Sequence, residues 1–248
     1  MLLVLPPSET KRDGGAEGSA LDLASLLFPE LTRRREQALR ALARLSRSVQ
    51  ASAEALALGP TQRFEIDRNR AVRGAPTMPA IERYTGVLYD ALDASSLTPA
   101  ARAWLERHVV IHSALFGPVG AGDLIPAYRL SHNSRLPGLA LRAHWRTPLA
   151  AALGAGVGLV LDLRSESYVA LGPITPGPER WYLRVVSIGP TGQKRALTHF
   201  NKQGKGAFVQ AIAIAGIDHP DAASLLAWAA TAGIALTRGA PGELELTV

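Results

Sequence analysis

The feature that most constrains the fold is a short apolar run at the start of the chain that gives way at once to a polar loop. Leu2–Leu5 is continuously apolar, as in a strand that is buried on both faces. Pro6–Lys11, with the sequence Pro-Pro-Ser-Glu-Thr-Lys, then leaves that strand as a loop. Proteins of the α/β class place ligand-binding groups where a strand ends and a loop begins. The opening residues therefore predict a buried strand with candidate binding groups at its end.

Further strands and helices are mixed along the rest of the chain. Apolar residues spaced three or four apart predict a helix that Thr32 caps and that runs to about Leu58. The β-branched cluster within His108–Ser113 predicts a strand. Further helices are predicted at Ala80–Leu92, at Pro99–Arg107 with Thr98 as its cap, at Leu139–Leu153, Gly204–Gly216 and Pro220–Ala232, whereas Arg63–Pro79 is predicted to be irregular. Further strands are predicted at Gly158–Leu163 and, as two hairpins, at Trp181–Ile188 with Lys194–His199 and at Ile234–Thr237 with Glu243–Thr247.

This mixture of elements indicates the fold class. The sequence contains no internal repeat and no low-complexity tract, and no linker clearly divides it. We therefore predict a single α/β (α+β) domain over residues 1–248, in which helices surround a mixed central sheet and both termini lie in that sheet.

Composition narrows the class of protein further. The 27 Lys and Arg residues against 21 Asp and Glu give a net charge of +6, which permits nucleic-acid binding without requiring it. The absence of Cys excludes a disulfide scaffold, a thiolate zinc site and a cysteine nucleophile. The opening apolar run is too short for a signal-peptide core, and no apolar run approaches the ~20 residues of a membrane span. We expect a cytoplasmic protein that does not contact membranes.

Standard catalytic and cofactor motifs are missing from the sequence. It contains neither G-x-x-x-x-G-K-[ST] nor G-x-G-x-x-G after a strand, and it has no G-x-S-x-G. His108 and His112 are four residues apart but lack the glutamate of H-E-x-x-H, so structural histidines are the better interpretation. We therefore expect no cofactor and no metal.

Polar clusters remain, and they follow predicted strand ends. They are Ser8–Lys11, Ser113–Gly117, Tyr128-Arg129, Ser165–Tyr168 and Asn201–Gly206. The cations among and beside them are Lys11, Arg129, Lys202 and Lys205, and the acids are Glu9, Asp162 and Glu166. If these loops converge, they form a mixed-charge cleft with an excess of basic groups, which suits an anionic or nucleotide-like ligand. Unrelated loops with ordinary surface charge are the alternative.

The same clusters carry a resemblance to a bacterial family. The segments concerned are, in order, Leu5–Lys11, Tyr84–Leu92, His112–Gly117, Asp123–Leu130, Trp145, Leu161–Tyr168 and Lys202–Gly206. His112–Gly117 and Asp123–Leu130 are similar to the most specific family signature, L-S-G-L-Y-G … D-x-I-x-P-Y-R-L. On these segments nearly the whole chain resembles the YaaA peroxide-stress family (UPF0246 type). Asp162 and Lys205 depart from the pattern, since they stand where the family has Asn and Arg.

The resemblance implies a role in resisting hydrogen peroxide, associated with lower free intracellular iron, and a single-domain α/β fold peculiar to the family. It also implies non-specific DNA binding through a basic cleft with a helix–hairpin–helix element. The candidate hairpin is the Asp93–Leu97 turn between two predicted helices, and Phe116–Gly122 is the alternative. The residues expected at the ligand or DNA site are Ser8, Thr10, Lys11, Tyr128, Arg129, Ser165, Glu166, Tyr168, Lys202, Lys205 and Gly206.

Two further functions stay open beside DNA binding. An enzyme acting on a nucleobase, nucleoside or other anionic metabolite would use Glu166, Asp162 and Lys202, because strand-end acids beside cations suit acid–base chemistry. Direct iron binding has the least support, since histidines and carboxylates are scattered. We favour the non-enzymatic hypothesis, because the basic excess is present and a known catalytic motif is not.

Overall fold

A parallel sheet forms the centre of the molecule, and the N-terminal strand lies within it. The computed structural model describes residues 1–154, 156, 158–189, 193–196 and 200–248. The strands are β1 (Leu2–Leu5), β2 (Met78–Pro79), β3 (Val109–Ser113), β4 (Gly117–Gly120), β5 (Leu124–Ile125), β6 (Val160–Asp162), β7 (Arg180–Ile188), β8 (Lys194–Ala196), β9 (Leu236–Arg238) and β10 (Glu243–Thr247). The helices are α1 (Thr32–Leu45), α2 (Val49–Ala55), α3 (Phe64–Ala71), α4 (Ala80–Arg83), α5 (Val87–Leu92), α6 (Pro99–His108), α7 (Leu141–Gly154), α8 (Glu166–Leu171), α9 (Phe200–Ala215) and α10 (Ala222–Thr231).

Within the described residues, eight strands form one mixed sheet. Seven run in the order β4-β3-β1-β6-β7-β10-β9, and β8 pairs with β7 beside this path. The central strands β3, β1, β6, β7 and β10 are parallel to one another, whereas β4, β8 and β9 each pair antiparallel with one of them. The α/β fold class with a mixed central sheet is therefore confirmed, and both termini lie in the sheet.

The two faces of β1 explain its continuously apolar sequence. Leu3 and Leu5 belong to the larger hydrophobic cluster, while Val4 packs with Val110 and Val160 in a second cluster. These side chains alternate between the faces because successive residues of a strand point to opposite sides of the sheet. Both faces are thus covered, as is usual for parallel strands.

Several helix predictions are wrong at their boundaries. The helix predicted from Thr32 to Leu58 is divided into α1 and α2, because the side chain of Ser48 accepts from Ala51 N and starts a new helix. Thr32 is the first residue of α1 and does not cap it. The Arg63–Pro79 segment, predicted to be irregular, contains α3. The Thr98 cap of α6 is confirmed by the 3.3 Å bond from Ala101 N to Thr98 Oγ1.

Proline inside α7 is tolerated because another side chain replaces its missing donor. Pro148 has no N–H to give to the carbonyl of His144, four residues earlier. Arg34 Nη1 donates to that carbonyl at 2.9 Å, and His144 Nε2 lies 3.0 Å from Arg34 O. These two contacts also hold α1 against α7.

No helix among the described residues is long and apolar enough to cross a membrane.

Candidate functional site

The sheet topology creates a crevice beside β1. The chain leaves β1 to form β3 on one side and later forms β6 on the other side. Open α/β sheets bind ligands at such a switch in direction, outside the carboxyl ends of the strands. Here the crevice is a cavity of about 420 Å³, which we call the strand-end cavity. Its described lining is Pro6, Pro7, Ser8, Glu9, Thr10, Thr85, Gly86, Val87, Leu88, Tyr89, Ser131, His132, Leu163, Ser165, Tyr168, Asn201, Lys202 and Lys205.

Three hydroxyl groups meet on the β1 side of this cavity. Thr10 Oγ1 lies 3.2 Å from Ser8 Oγ and accepts a 3.1 Å bond from Thr85 Oγ1. Gly86 follows with a φ of 96°, and a Cβ there would lie 3.4 Å from both the Ser8 and the Thr10 oxygens. Glycine therefore lets the chain enter α5 without crowding the hydroxyls. Hydroxyl groups both donate and accept, so this cluster can meet the oxygens of a ligand.

Two lysines reach the cavity from the first turns of α9. The helix begins at Phe200 rather than at the predicted Gly204, so Lys202 and Lys205 are three residues apart on one helical side. Lys202 is exposed, whereas Lys205 is buried and its Nζ donates to Arg164 O at 3.4 Å. Burial lowers the pKa of Lys205 to about 8, partly opposed by Asp162. Its ammonium is thus still largely charged at neutral pH.

The third side of the cavity comes from the residues after β6. Ser165 precedes α8 and is exposed, and Tyr168 lies one turn later. The Tyr168 ring packs at about 80° to His112 and at about 60° to His132, with ring centroids 5.4 and 5.3 Å apart. Burial raises the pKa of Tyr168 well above its ordinary value, so its phenol remains a neutral donor.

Lys11 is placed to hold the loop rather than to meet a ligand. It lies outside the described lining of the cavity and is buried. Its Nζ donates to Ser8 O at 3.0 Å and to Glu9 O at 3.2 Å, and lies 4.2 Å from the ring centroid of Tyr128. Burial lowers the pKa of Lys11 to about 7, with Glu65 opposing the shift. Its hydrogen bonds fix the carbonyls of the polar loop after β1.

Tyr128 and Arg129 also support the cavity from outside its described lining. The Tyr128 hydroxyl lies 2.7 Å from Ser113 Oγ, and burial raises its pKa to about 12. Arg129 Nη2 donates to Glu9 Oε2 at 2.7 Å. The Asn69 side chain of α3 holds the Arg129 backbone through bonds of 2.7 and 2.9 Å. The Arg129 guanidinium is therefore hydrogen-bonded to the polar loop after β1.

The two acids predicted for catalysis lie at a second cavity. Asp162 accepts from Arg164 Nε at 2.8 Å and from Arg164 Nη2 at 2.6 Å. Glu166 is exposed, and its carboxylate lies 3.7 Å from Arg184 Nη1. Both line the cavity beside α7, and neither belongs to the described lining of the strand-end cavity.

Gly206 serves helix packing. A Cβ at this position would overlap the carbonyl oxygen of Leu88 and lie 2.9 Å from the Ala91 Cβ. The absence of a side chain therefore allows α9 to approach α5, which Thr85 and Gly86 precede. Gly206 itself lies outside the described lining of the cavity.

The two candidate hairpins for phosphate contact differ from expectation. The helix predicted at Ala80–Leu92 is wrong, since the chain divides into α4 and α5 at Gly86. The turn after α5 begins at Asp93, whose hydrogen bond from Ser95 lowers its pKa and keeps the carboxylate ionised. A negative charge there opposes phosphate binding. The alternative, Phe116–Gly122, contains the buried strand β4.

Six of the site residues predicted from the sequence line the cavity, whereas other lining residues were not predicted. The predicted residues in the described lining are Ser8, Thr10, Ser165, Tyr168, Lys202 and Lys205. Thr85, Tyr89 and His132 were not proposed as site residues, although Tyr89 Oη donates to Pro6 O at 2.7 Å and holds the loop. The Thr-Gly pair before α5 was the available signal, since glycine marks a turn beside a polar residue.

Comparison with known proteins identifies the family of this chain. The family described as peroxide stress protein YaaA matches residues 1–230. The chain belongs to this family. It is 46% identical over 218 residues to a UPF0246 protein of Corynebacterium efficiens, covering 86% of this chain and 85% of that protein. It is 40% identical to a UPF0246 protein of Corynebacterium glutamicum over 253 residues, covering 100% of this chain and 99% of that protein. A UPF0246 protein of Streptomyces coelicolor is 42% identical over 220 residues, covering 87% and 84%.

Proposed function

We propose that this member of the peroxide-stress family acts by binding a phosphate-bearing ligand in the strand-end cavity, and that DNA supplies the phosphates. The observation that carries the proposal is the presence of Lys202 and Lys205 in one cavity with the Ser8 and Thr10 hydroxyls. Cations and hydroxyls hold phosphate oxygens without reading base sequence. We also propose that this protein is associated with lower free intracellular iron, as the family resemblance implies.

The arrangement of charges refines which residues would contact DNA. Lys202 is exposed and has no hydrogen bond or ion pair with the residues that the structure describes, so none of these contacts must break before it pairs with a phosphate. Lys11 and Arg129 are bonded to the loop after β1, and their contribution would be to shape the site. The net charge of +6 favours the approach of a polyanion.

The test is the salt dependence of binding to duplex, bubble and single-stranded DNA. Lys202→Ala should weaken binding to every sequence alike and reduce the slope of log K against log salt by about one unit, the loss of one phosphate contact. Arg47→Ala is the matched control, because Arg47 is exposed and lies outside both cavities. An unchanged slope with Lys202→Ala would contradict the proposal.

An enzyme acting on a nucleobase, nucleoside or other anionic metabolite is the second candidate. Its supporting observation is the buried Lys205, whose pKa is lowered to about 8 in a cavity of about 420 Å³. That volume lies in the range of small-molecule sites. Proton transfer would then belong to Lys205, since Asp162 and Glu166 line the other cavity.

One pair of variants separates the two candidates. Lys205→Arg keeps the positive charge but raises the pKa far above neutrality, so binding survives and proton transfer does not. The resemblance gives this position an arginine in the family, which favours the binding proposal. We expect Lys205→Arg and Glu166→Gln to preserve peroxide survival of cells that depend on this protein. Loss of survival with unchanged DNA binding in Lys205→Arg would establish the enzymatic alternative.

A further inference from the structure

A second cavity, which we call the α7 cavity, lies against one face of the sheet. Its volume is about 640 Å³, larger than that of the strand-end cavity. The floor comes from alternate residues of β6 and β7, which share one face of the sheet. Its described lining is Arg142, Arg146, Val160, Asp162, Glu166, Val169, Ala170, Pro173, Ile174, Pro176, Arg180, Trp181, Tyr182, Arg184, Pro241, Gly242 and Glu243.

Two of the three carboxylates that line this cavity are hydrogen-bonded to arginines, and the third is exposed. Asp162 is bonded to Arg164 through two nitrogens, and Glu243 accepts from Arg184 at 2.6 and 2.8 Å. Glu166 lies 3.7 Å from the same Arg184 guanidinium. Four arginines of the lining, Arg142, Arg146, Arg180 and Arg184, outnumber the three carboxylates, so the cavity keeps a positive balance of charge.

Two arginines of α7 contrast with these pairs. Arg142 and Arg146 are four residues apart, so they stand one helical turn apart on the same side. Both line the cavity, and neither forms a hydrogen bond or ion pair with any other residue that the structure describes. Arg180 also lines it, but its guanidinium donates to backbone carbonyls, including Gly158 O at 2.7 Å. Two guanidinium groups on one wall of the cavity are thus without a partner in the part of the chain that the structure describes.

The remaining surface of the cavity is apolar. Aliphatic and proline side chains from β6, α8 and the two adjoining loops form it: Val160, Val169, Pro173, Ile174, Pro176 and Pro241. The Tyr182 ring adds a flat surface, and burial raises its pKa to about 12, so it remains neutral. A ligand that meets both surfaces has an anionic group and an apolar body.

We propose that the α7 cavity is a second binding site, which takes a small organic anion with a phosphate or carboxylate group on a flat apolar body. Arg142 and Arg146 bind the oxygens, because each guanidinium presents paired N–H donors that match the geometry of either group. The apolar wall and the Tyr182 ring cover the body. This proposal does not depend on DNA binding, which concerns the strand-end cavity.

Phenyl phosphate is the probe, and calorimetry on the full chain measures its affinity. Benzoate tests a carboxylate on the same ring, inorganic phosphate lacks the body, and benzyl alcohol lacks the charge. We expect phenyl phosphate or benzoate to bind and the two incomplete probes to bind at least tenfold more weakly. Arg142→Gln and Arg146→Gln should each weaken binding about tenfold, the loss of one charge-assisted contact.

Ala170→Trp provides a second test that leaves the arginines in place. Ala170 is exposed and lines the cavity, so a bulky side chain there fills the space without entering the core. It should abolish binding of phenyl phosphate to this cavity, whereas Arg47→Gln should leave the affinity unchanged. Failure of both aromatic anions to bind at millimolar concentrations would overturn the proposal. Equally tight binding of inorganic phosphate that Arg142→Gln and Arg146→Gln also weaken would do the same. Binding of the aromatic anions that survives Ala170→Trp and both arginine variants would contradict the proposal too.

Discussion

Buried cationic side chains in this protein mainly donate hydrogen bonds to backbone carbonyls and so hold the chain in place. Arg35 is fully buried and donates to four carbonyls, among them Phe116 O at 3.0 Å and Pro118 O at 2.9 Å. Arg83 does the same for Ile125 O and for the loop after β1. A buried charge is costly unless it is hydrogen-bonded, and each of these guanidinium groups satisfies its donors with carbonyls of loops and of a short strand, β4 or β5. Lys11 follows the same principle at the candidate site.

The buried Lys11 predicts how the free energy of unfolding depends on pH. Its pKa is about 7 in the folded chain and 10.5 ordinarily, so between these values the unfolded chain binds a proton that the folded chain does not. The free energy of unfolding should therefore rise with pH from about 7, by up to about 1.4 kcal/mol per pH unit from this group. Lys11→Met should remove that part of the slope between pH 7 and pH 8, below the pKa of Lys205, in urea titrations at each pH.

Lys202→Met is the control for this measurement. It removes the same kind of side chain from an exposed position, so it controls for the loss of a lysine as such. Lys205, with a pKa of about 8, continues to contribute above that pH in both variants. A Lys11→Met protein with the slope of the natural chain would show that Lys11 is not buried as described.

At the scale of elements, the sequence predicted the parallel strands of the sheet, but it missed the short strands β2, β4 and β5 and misplaced several helix boundaries. The apolar run Leu2–Leu5 and the β-branched Val109–Ile111 were sufficient for β1 and β3, because few other structures bury such runs. The apolar spacing after Thr32 continues through the break at Ser48, so periodicity alone could not show that a new helix starts there. The start of α5 at Gly86 depends on a positive φ beside Ser8 and Thr10, which is a tertiary requirement.

The contact of α5 with α9 gives a prediction at this scale. Gly206→Ala should destabilise the protein by about 2–3 kcal/mol, because the added methyl group overlaps the Leu88 carbonyl and forces the helices apart. Gly74→Ala is the matched control, since a Cβ at Gly74 meets no atom within 4 Å. Chemical denaturation measures both. Equal stability of the two variants would contradict the close approach of these helices.

At the scale of the molecule, the convergence of polar loops at strand ends was predictable from the sequence. Which of their side chains line the cavity and which support it was not. Parallel strands bring their carboxyl ends to one edge, so the loops after β1 and β6 meet whatever their side chains are. Whether a cation lines a cavity or supports it depends on burial and side-chain direction. Lys11 and Lys202 are both lysines in polar segments, yet one is buried against Tyr128 and the other is exposed.

The position of β1 makes the whole sheet depend on the first residues of the chain. Leu3 pairs with Val109 of β3 on one side and with Leu161 of β6 on the other, so β1 joins the two parts of the parallel sheet. Removing residues 1–5 would expose the partners of Leu3, Val4 and Leu5, which are fully buried. The lost burial is worth about 5–9 kcal/mol, comparable with the whole stability of an ordinary domain.

We therefore expect the chain lacking Met1–Leu5 to lose soluble, cooperative folding. Circular dichroism during thermal unfolding measures the transition, and sedimentation measures aggregation. Leu3→Val is the control, because it keeps an apolar β-former in β1 and should lower stability by only about 1 kcal/mol. A truncated chain that stays soluble and unfolds in one sharp transition would mean that β3 and β6 close the sheet without β1. The polar loop that β1 carries would then lose its fixed place beside Lys202, and the strand-end cavity with it.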